Sequence, residues 1–218
     1  MITHWDREYK VTKRIKQGKK RLAAPFAELA RWIAEKWNVS VLNVIYDRAD
    51  STHAPRLQVI LEYESHARRF YRNLNFDSAK QKAIAGKFLE INERDKLHGF
   101  DVDGLFVVFS AFAPLAREEA DSQIPDEDIH ALNERIGNPD IWEISRCFGQ
   151  VTIFFFTDAQ AKRYEAEGRN KEYARMYFDI LKPHDEFGYL KEGNFTIAFD
   201  SKQNFDENYE SSWFYYYR

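Results

Sequence analysis

What most constrains this chain of 218 residues is a self-similarity between its two halves. Residues 57–70, LQVILEYESHARRF, lie without a gap over residues 151–164, VTIFFFTDAQAKRY. Both stretches read as an apolar strand running into a helix. Further on, Lys82, Ala85, Ile91, Gly99, Gly104 and Phe106 coincide with Lys171, Ala174, Ile180, Gly188, Gly193 and Phe195, and Val108 falls on Ile197. Ahead of the strands, Leu29, Trp32, Val41, Leu42 and Val44 pair with Ile129, Leu132, Ile141, Trp142 and Ile144. Apolar periodicity alone would match many helices, but the two glycine pairs and the acidic pair of Glu90 with Asp179 mark specific backbone and surface positions. A repeat of this length sets the architecture before any motif is considered.

Each half reads helix, strand, strand, helix, helix, strand. The pattern predicts an α+β fold in which two duplicated units pack about a pseudo-two-fold axis. The boundaries expected are a basic N-terminal arm over 1–21, a first repeat over 22–112, a linker over 113–125, and a second repeat over 126–218 that carries an aromatic tail. The two halves are expected to form one inseparable domain, since aromatic strands such as Phe154-Phe155-Phe156 point apolar side chains to both faces and need cover on both. Caps are expected at Ser65, at Thr157 or Asp158, and at Asp77 or Ser78.

Charge separates the halves. Residues 1–109 hold 20 Lys and Arg against 14 Asp and Glu, whereas residues 110–218 hold 12 against 21. Much of the positive excess lies in Arg7, Lys10, Lys13, Arg14, Lys16, Lys19, Lys20 and Arg21, a run suited to phosphates or an acidic partner, or to a solvated arm. The net charge of -3 disfavours tight nonspecific binding of nucleic acid. No apolar run approaches the ~20 residues of a membrane-spanning helix, and the first residues lack the apolar stretch of a secretory signal, so the expected setting is cytoplasmic with no membrane partner. The single cysteine, Cys147, cannot form an internal disulfide and reads as a structural thiol.

Motifs for phosphate loops, dinucleotide folds, zinc proteases, EF-hands and nucleophile elbows are missing, and the six histidines are scattered without ligand spacing. No catalytic residue, cofactor or metal is therefore assigned. His184-Asp185-Glu186 reads as a solvated loop. The duplication selects other candidates, because a position that is polar in one copy and apolar in the other has escaped the shared structural demand. Glu62 stands opposite Phe156. The first hairpin connection is also several residues longer than the tight turn around Gly149, and long loops on a rigid scaffold often carry binding groups. Asp47, Arg48, Asp50, His53 and Glu62 thus form one candidate polar surface.

The second candidate is the tail Trp213, Phe214, Tyr215, Tyr216 and Tyr217. Five aromatics in a row cannot all face one side of an element, so some must cover a seam, within the chain or against a second subunit, or stand out for recognition. The function these features favour is a non-enzymatic intracellular protein-binding protein, for instance an inhibitor or immunity-type protein, with a protein partner or self-association. The alternatives are a nucleic-acid-associated protein that uses the basic arm, and a motif-less enzyme with carboxylates such as Glu62 and Asp47 in an inter-repeat cleft.

Overall fold

A computed structural model describes residues 3–49 and 52–218. The chain is α+β and divides into two compact units, Met1–Leu115 and Ala116–Arg218, each built on its own mixed three-stranded sheet.

In the first unit the basic run is not a free arm. It forms helix α1 (Arg7–Lys16), with Tyr9 and Thr12 buried three residues apart on one face. Helix α2 (Ala24–Trp37) takes Pro25 in its first turn and ends at Asn38, whose backbone is left-handed with φ of 49°. Strands β1 (Val41–Arg48) and β2 (Pro55–Leu61) pair antiparallel. A short helix α3 (Glu64–Arg68), the two-residue strands β3 (Tyr71–Arg72) and β4 (Asn75–Phe76), and helix α4 (Ser78–Arg94) then carry the chain across to β5 (Phe106–Ala111). β5 lies parallel to β2, as a crossover of this length permits. Asp77 caps α4 by accepting from the backbone N–H groups of Ala79 and Lys80, whereas Ser65 sits inside α3 and caps nothing. Alternate residues Leu57, Val59 and Leu61 of β2, with Val107 and Phe109 of β5, form the core with Leu29, Ile33, Ile84 and Phe88.

Helix α5 (Phe112–Ser122) follows β5 directly and takes up most of the stretch expected as a linker; the division between the units falls within it.

The second unit repeats the plan. Helix α6 (Asp126–Ile136) opens on three acidic residues, which suit a helix N-terminus, and stops at left-handed Gly137. Strands β6 (Ile141–Cys147) and β7 (Gln150–Phe155) are antiparallel. Helix α7 (Asp158–Ala166) starts with a capping box between Thr157 and Gln160. Helix α8 (Arg169–Leu181) leads back to β8 (Ala198–Ser201), which is parallel to β7. The strand orders β1-β2-β5 and β6-β7-β8 match, and both first strands carry an irregularity at the same place, between Val41 and Asn43 and between Ile141 and Glu143. Helices α9 (Lys202–Tyr209) and α10 (Trp213–Tyr216) close the chain, with α9 following β8 as α5 follows β5.

The registers correct one detail of the sequence alignment. Val59 faces Phe109 and Ile153 faces Phe199, so with Val59 laid over Ile153 it is Phe109 that matches Phe199. The pairing of Phe106 with Phe195 is thus one residue out of step, and Phe195 lies ahead of its strand. Glycines 104 and 193 report the loops before the strands, and loop length is free to drift where strand register is not.

Candidate functional site

In both units the helices α2 and α4, or α6 and α8, cover one face of the sheet, and the opposite face carries the candidate residues. On the first sheet that face presents Asn43, Gln58, Ile60 and Glu62, all buried. Helix α1 lies over it. Asn43 Nδ2 donates to Thr12 Oγ1 at 2.9 Å, and the Tyr9 ring stacks on Phe112 with centroids 5.0 Å apart. Lys16 Nζ donates to Glu62 Oε1 at 2.6 Å, and Ser40 Oγ donates to Oε2 at 2.7 Å. The polarity of Glu62, read from sequence as freedom from structural demand, is spent on fastening this helix.

Asp47 accepts a bidentate pair from Arg56, at 2.8 and 2.7 Å, and a third bond from Gln58 at 2.5 Å. Arg48 donates to the His53 carbonyl and to Asp101, and His53 is exposed with φ of 53°. Asp50 lies outside the described residues. Asp47 pairs with Arg56, six residues along β2 from Glu62, so the two carboxylates stand roughly 20 Å apart at about 3.3 Å per residue. The sheet does not bring them together. Among the described residues no three His, Cys, Asp or Glu side chains gather as a metal-binding group. No helix among them is long and apolar enough to cross a membrane.

On the second sheet the corresponding face is aromatic. Trp142 and Phe154 receive Phe205 from α9 and Trp213 from α10; the Trp213 and Trp142 rings are parallel to within 8° at 6.0 Å. Tyr216 donates to Asp200 at 2.6 Å, and Tyr217 shares a 2.7 Å hydrogen bond with Ser145 of β6. Burial and the Asp200 carboxylate push the Tyr216 phenol above its usual range. The tail therefore packs on its own unit. Tyr216 and Tyr217 are half-buried and Trp213 lays its ring on the sheet while remaining 39 % exposed, whereas Phe214 (70 % exposed) and Tyr215 (47 %) stand further out in solvent. The basic N-terminal helix and the aromatic C-terminal tail, read separately in the sequence, cover the same face of the two similar sheets.

Beside each covered face runs a groove along the unpaired edge of the first strand. In the first unit it encloses about 450 Å³ between α1 and β1 and is lined by Val11, Ile15, Phe26 and Ile45, with the cations Arg7, Lys20 and Arg21 at its rim. In the second unit it encloses about 610 Å³ between α6 and the tail, over Trp142, Glu143, Ser145, Trp213 and Tyr217. Cys147 also lines this groove, and its thiol is pushed upward by burial and by the charge of Glu118, which keeps it protonated.

Two features of the second unit go beyond the sequence reading, which placed a tight turn at Gly149 and a solvated loop at Asp185. The turn Phe148–Gly149 joins β6 to β7 with both residues left-handed, φ 51° and 71°, as a type I′ hairpin turn requires. Asn or Gly normally fills the first position. Phe148 fills it here and is 73 % exposed, so a bulky aromatic is held out at a strained backbone position. Its signal was available: two alternating strands two residues apart with the wrong residue in the turn. The second is Asp185, whose side chain is only 4 % exposed; it accepts from the backbone N–H groups of Tyr189 and Leu190 at 2.9 Å each and from Lys182 at 2.6 Å.

No family model matches the chain, and no curated protein or solved structure is detectably similar to it.

Proposed function

We propose that this chain is a non-enzymatic protein-binding protein, of the kind that masks or inhibits another protein, and that its acidic second unit holds the partner. One observation carries the reading: Phe148, Phe214 and Tyr215 are held out in solvent on a unit with 12 basic and 21 acidic side chains. Aromatic anchors supply contact area at small rotamer cost, and a negative field steers a basic surface toward them. The carboxylates singled out from sequence are engaged in ion pairs, which favours binding over acid–base chemistry at those positions. We further infer that the two units descend from one ancestral unit; shared strand order and the shared irregularity in the first strand support this.

The test is photo-crosslinking in cells with p-benzoylphenylalanine at position 214, compared with position 74, where Leu74 is 94 % exposed on the other unit. One protein partner captured from position 214 and none from 74 is the expected result. Absence of any specific adduct, with a monomer by light scattering, overturns the reading. The nucleic-acid alternative keeps one observation, the exposure of Lys10, Arg14, Lys19, Lys20 and Arg21. A salt titration against single-stranded oligonucleotides decides it: affinity for them at low ionic strength that falls steeply with salt sustains it, and no affinity there disposes of it.

A further inference from the structure

Strand β6 presents a free backbone edge. Strand β6 is first in the order β6-β7-β8, so one side of it has no neighbouring strand. The two-residue turn makes Cys147 and Gln150 the closing pair, which exchanges both its backbone hydrogen bonds. Antiparallel pairing alternates, so Ser145 with Thr152 is again a bonded pair, and the N–H and C=O groups of Ile144 and Arg146 between them aim outward. None of the described residues bonds to these backbone groups. They open into the 610 Å³ groove, walled by α6 on one side and by Trp213 and Tyr217 on the other. Natural proteins usually blunt such an edge with Lys, Pro or a covering element. Along this edge Glu143, Ser145 and Cys147 alternate with Ile144 and Arg146, with an aromatic wall beside them.

The charge in and around the groove chooses the occupant. Glu143 is exposed, and none of the described residues places a cation on its carboxylate. Asp126 lies at the rim, at the start of the acidic first turn of α6, and Glu118 reaches the Cys147 thiol with its charge. Among the described lining residues Arg146 carries the positive charge, and it is spent on Asp126 and on the Asp121 and Ile124 carbonyls.

We propose that an extended peptide segment bearing Lys or Arg adds to the free edge of β6 as a fourth strand, its backbone bonding to Ile144 and Arg146 and its side chains alternating between the aromatic wall and the carboxylates. Main-chain bonds supply affinity in this mode and alternate side chains supply selectivity. The inference rests on the protein-binding reading and adds the mode of binding to it.

The probe is a short capped peptide alternating Lys and Val, compared with the same peptide N-methylated at every second residue and with a version carrying Glu for Lys. Binding of the first, at least about tenfold weaker binding of the other two, and about tenfold loss in Glu143→Lys are expected, tenfold being about 1.4 kcal/mol. Amide hydrogen exchange on the full chain gives a readout independent of charge. Peptide binding slows exchange at Ile144 and Arg146 and leaves Ser145 and Cys147 as they were. Equal affinity for the N-methylated peptide overturns strand addition while leaving a charge-based protein interface standing. No binding at about 1 mM, a range of weak association, overturns it as well. So does a dimer in which the Ile144 and Arg146 amides are already protected, since that assigns the edge to a second copy.

Discussion

Lys16 and Glu62 form an ion pair of 2.6 Å that fastens the last turn of α1 to the chain just beyond β2. The matching residue of the second unit, Phe156, is 46 % exposed. One position therefore serves as a buried anchor in one unit and as surface in the other, and the difference follows from what covers the sheet: a basic helix in the first case and an aromatic tail in the second.

Lys16→Ala should cost about 1–3 kcal/mol, because it removes a short ion pair from a buried carboxylate. Glu62→Gln should cost less than Lys16→Ala. Urea unfolding of the two single variants and the double variant checks this, with a coupling energy well above zero expected for contacting residues.

Trp213→Ala should remove packing against Trp142, Phe154 and Phe205 and destabilise the second unit by about 1–3 kcal/mol, less than a core tryptophan because its ring is 39 % exposed. Phe214→Ala, its neighbour in solvent, should stay within about 0.5 kcal/mol. Chemical denaturation followed by near-ultraviolet circular dichroism separates the two.

Phe148→Asn should stabilise the β6–β7 hairpin by about 0.5–1 kcal/mol, since Asn tolerates the left-handed backbone that Phe resists. The same change should weaken capture of a partner. A rise in thermal midpoint together with unchanged binding would show that Phe148 plays no part in recognition.

Asp121 is buried and accepts a 2.5 Å bond from the Tyr177 hydroxyl. Burial raises its carboxyl above the usual value of 3.8, against the opposing pull of Tyr177 and Arg146. A raised acid contributes stability that is fully present below the unfolded value and is lost as pH rises through the folded one. Asp121→Asn should therefore gain on the wild type between about pH 4 and neutrality, as unfolding free energies measured across that range would show.

Asp185 has the opposite sign. Burial raises its carboxyl, but the bonds from Lys182, Leu190 and Tyr189 outweigh burial and hold it below 3.8. Its contribution is present above the unfolded value and is lost as pH falls through the folded one. Asp185→Asn should destabilise at neutral pH by about 1–3 kcal/mol, and the deficit should shrink at pH values below 3.8.

Much of the fold could be read from residues. Alternation in 57–61 and 151–155 specified strands, Asp77 and Thr157 marked helix starts, and the recurrence of one pattern at two offsets announced two similar units. These are local signals, set by backbone geometry and by which side chains share a face. The second faces of the sheets were not legible. Whether Tyr9, Thr12 and Lys16 float in a solvated arm or seal Asn43 and Glu62 depends on contacts between residues 31 to 46 positions apart. The same holds for the tail, where Trp213 reaches Trp142 and Tyr217 reaches Ser145 across 71 and 72 positions. Sequence by itself determined the paired strands of each unit and their recurrence, because those follow from periodicity. Only the tertiary structure decided that the charged N-terminus and the aromatic C-terminus do equivalent work on the two sheets and that the first strand of each unit lies at a sheet edge, because burial and edge exposure belong to the assembled sheet and to no segment alone.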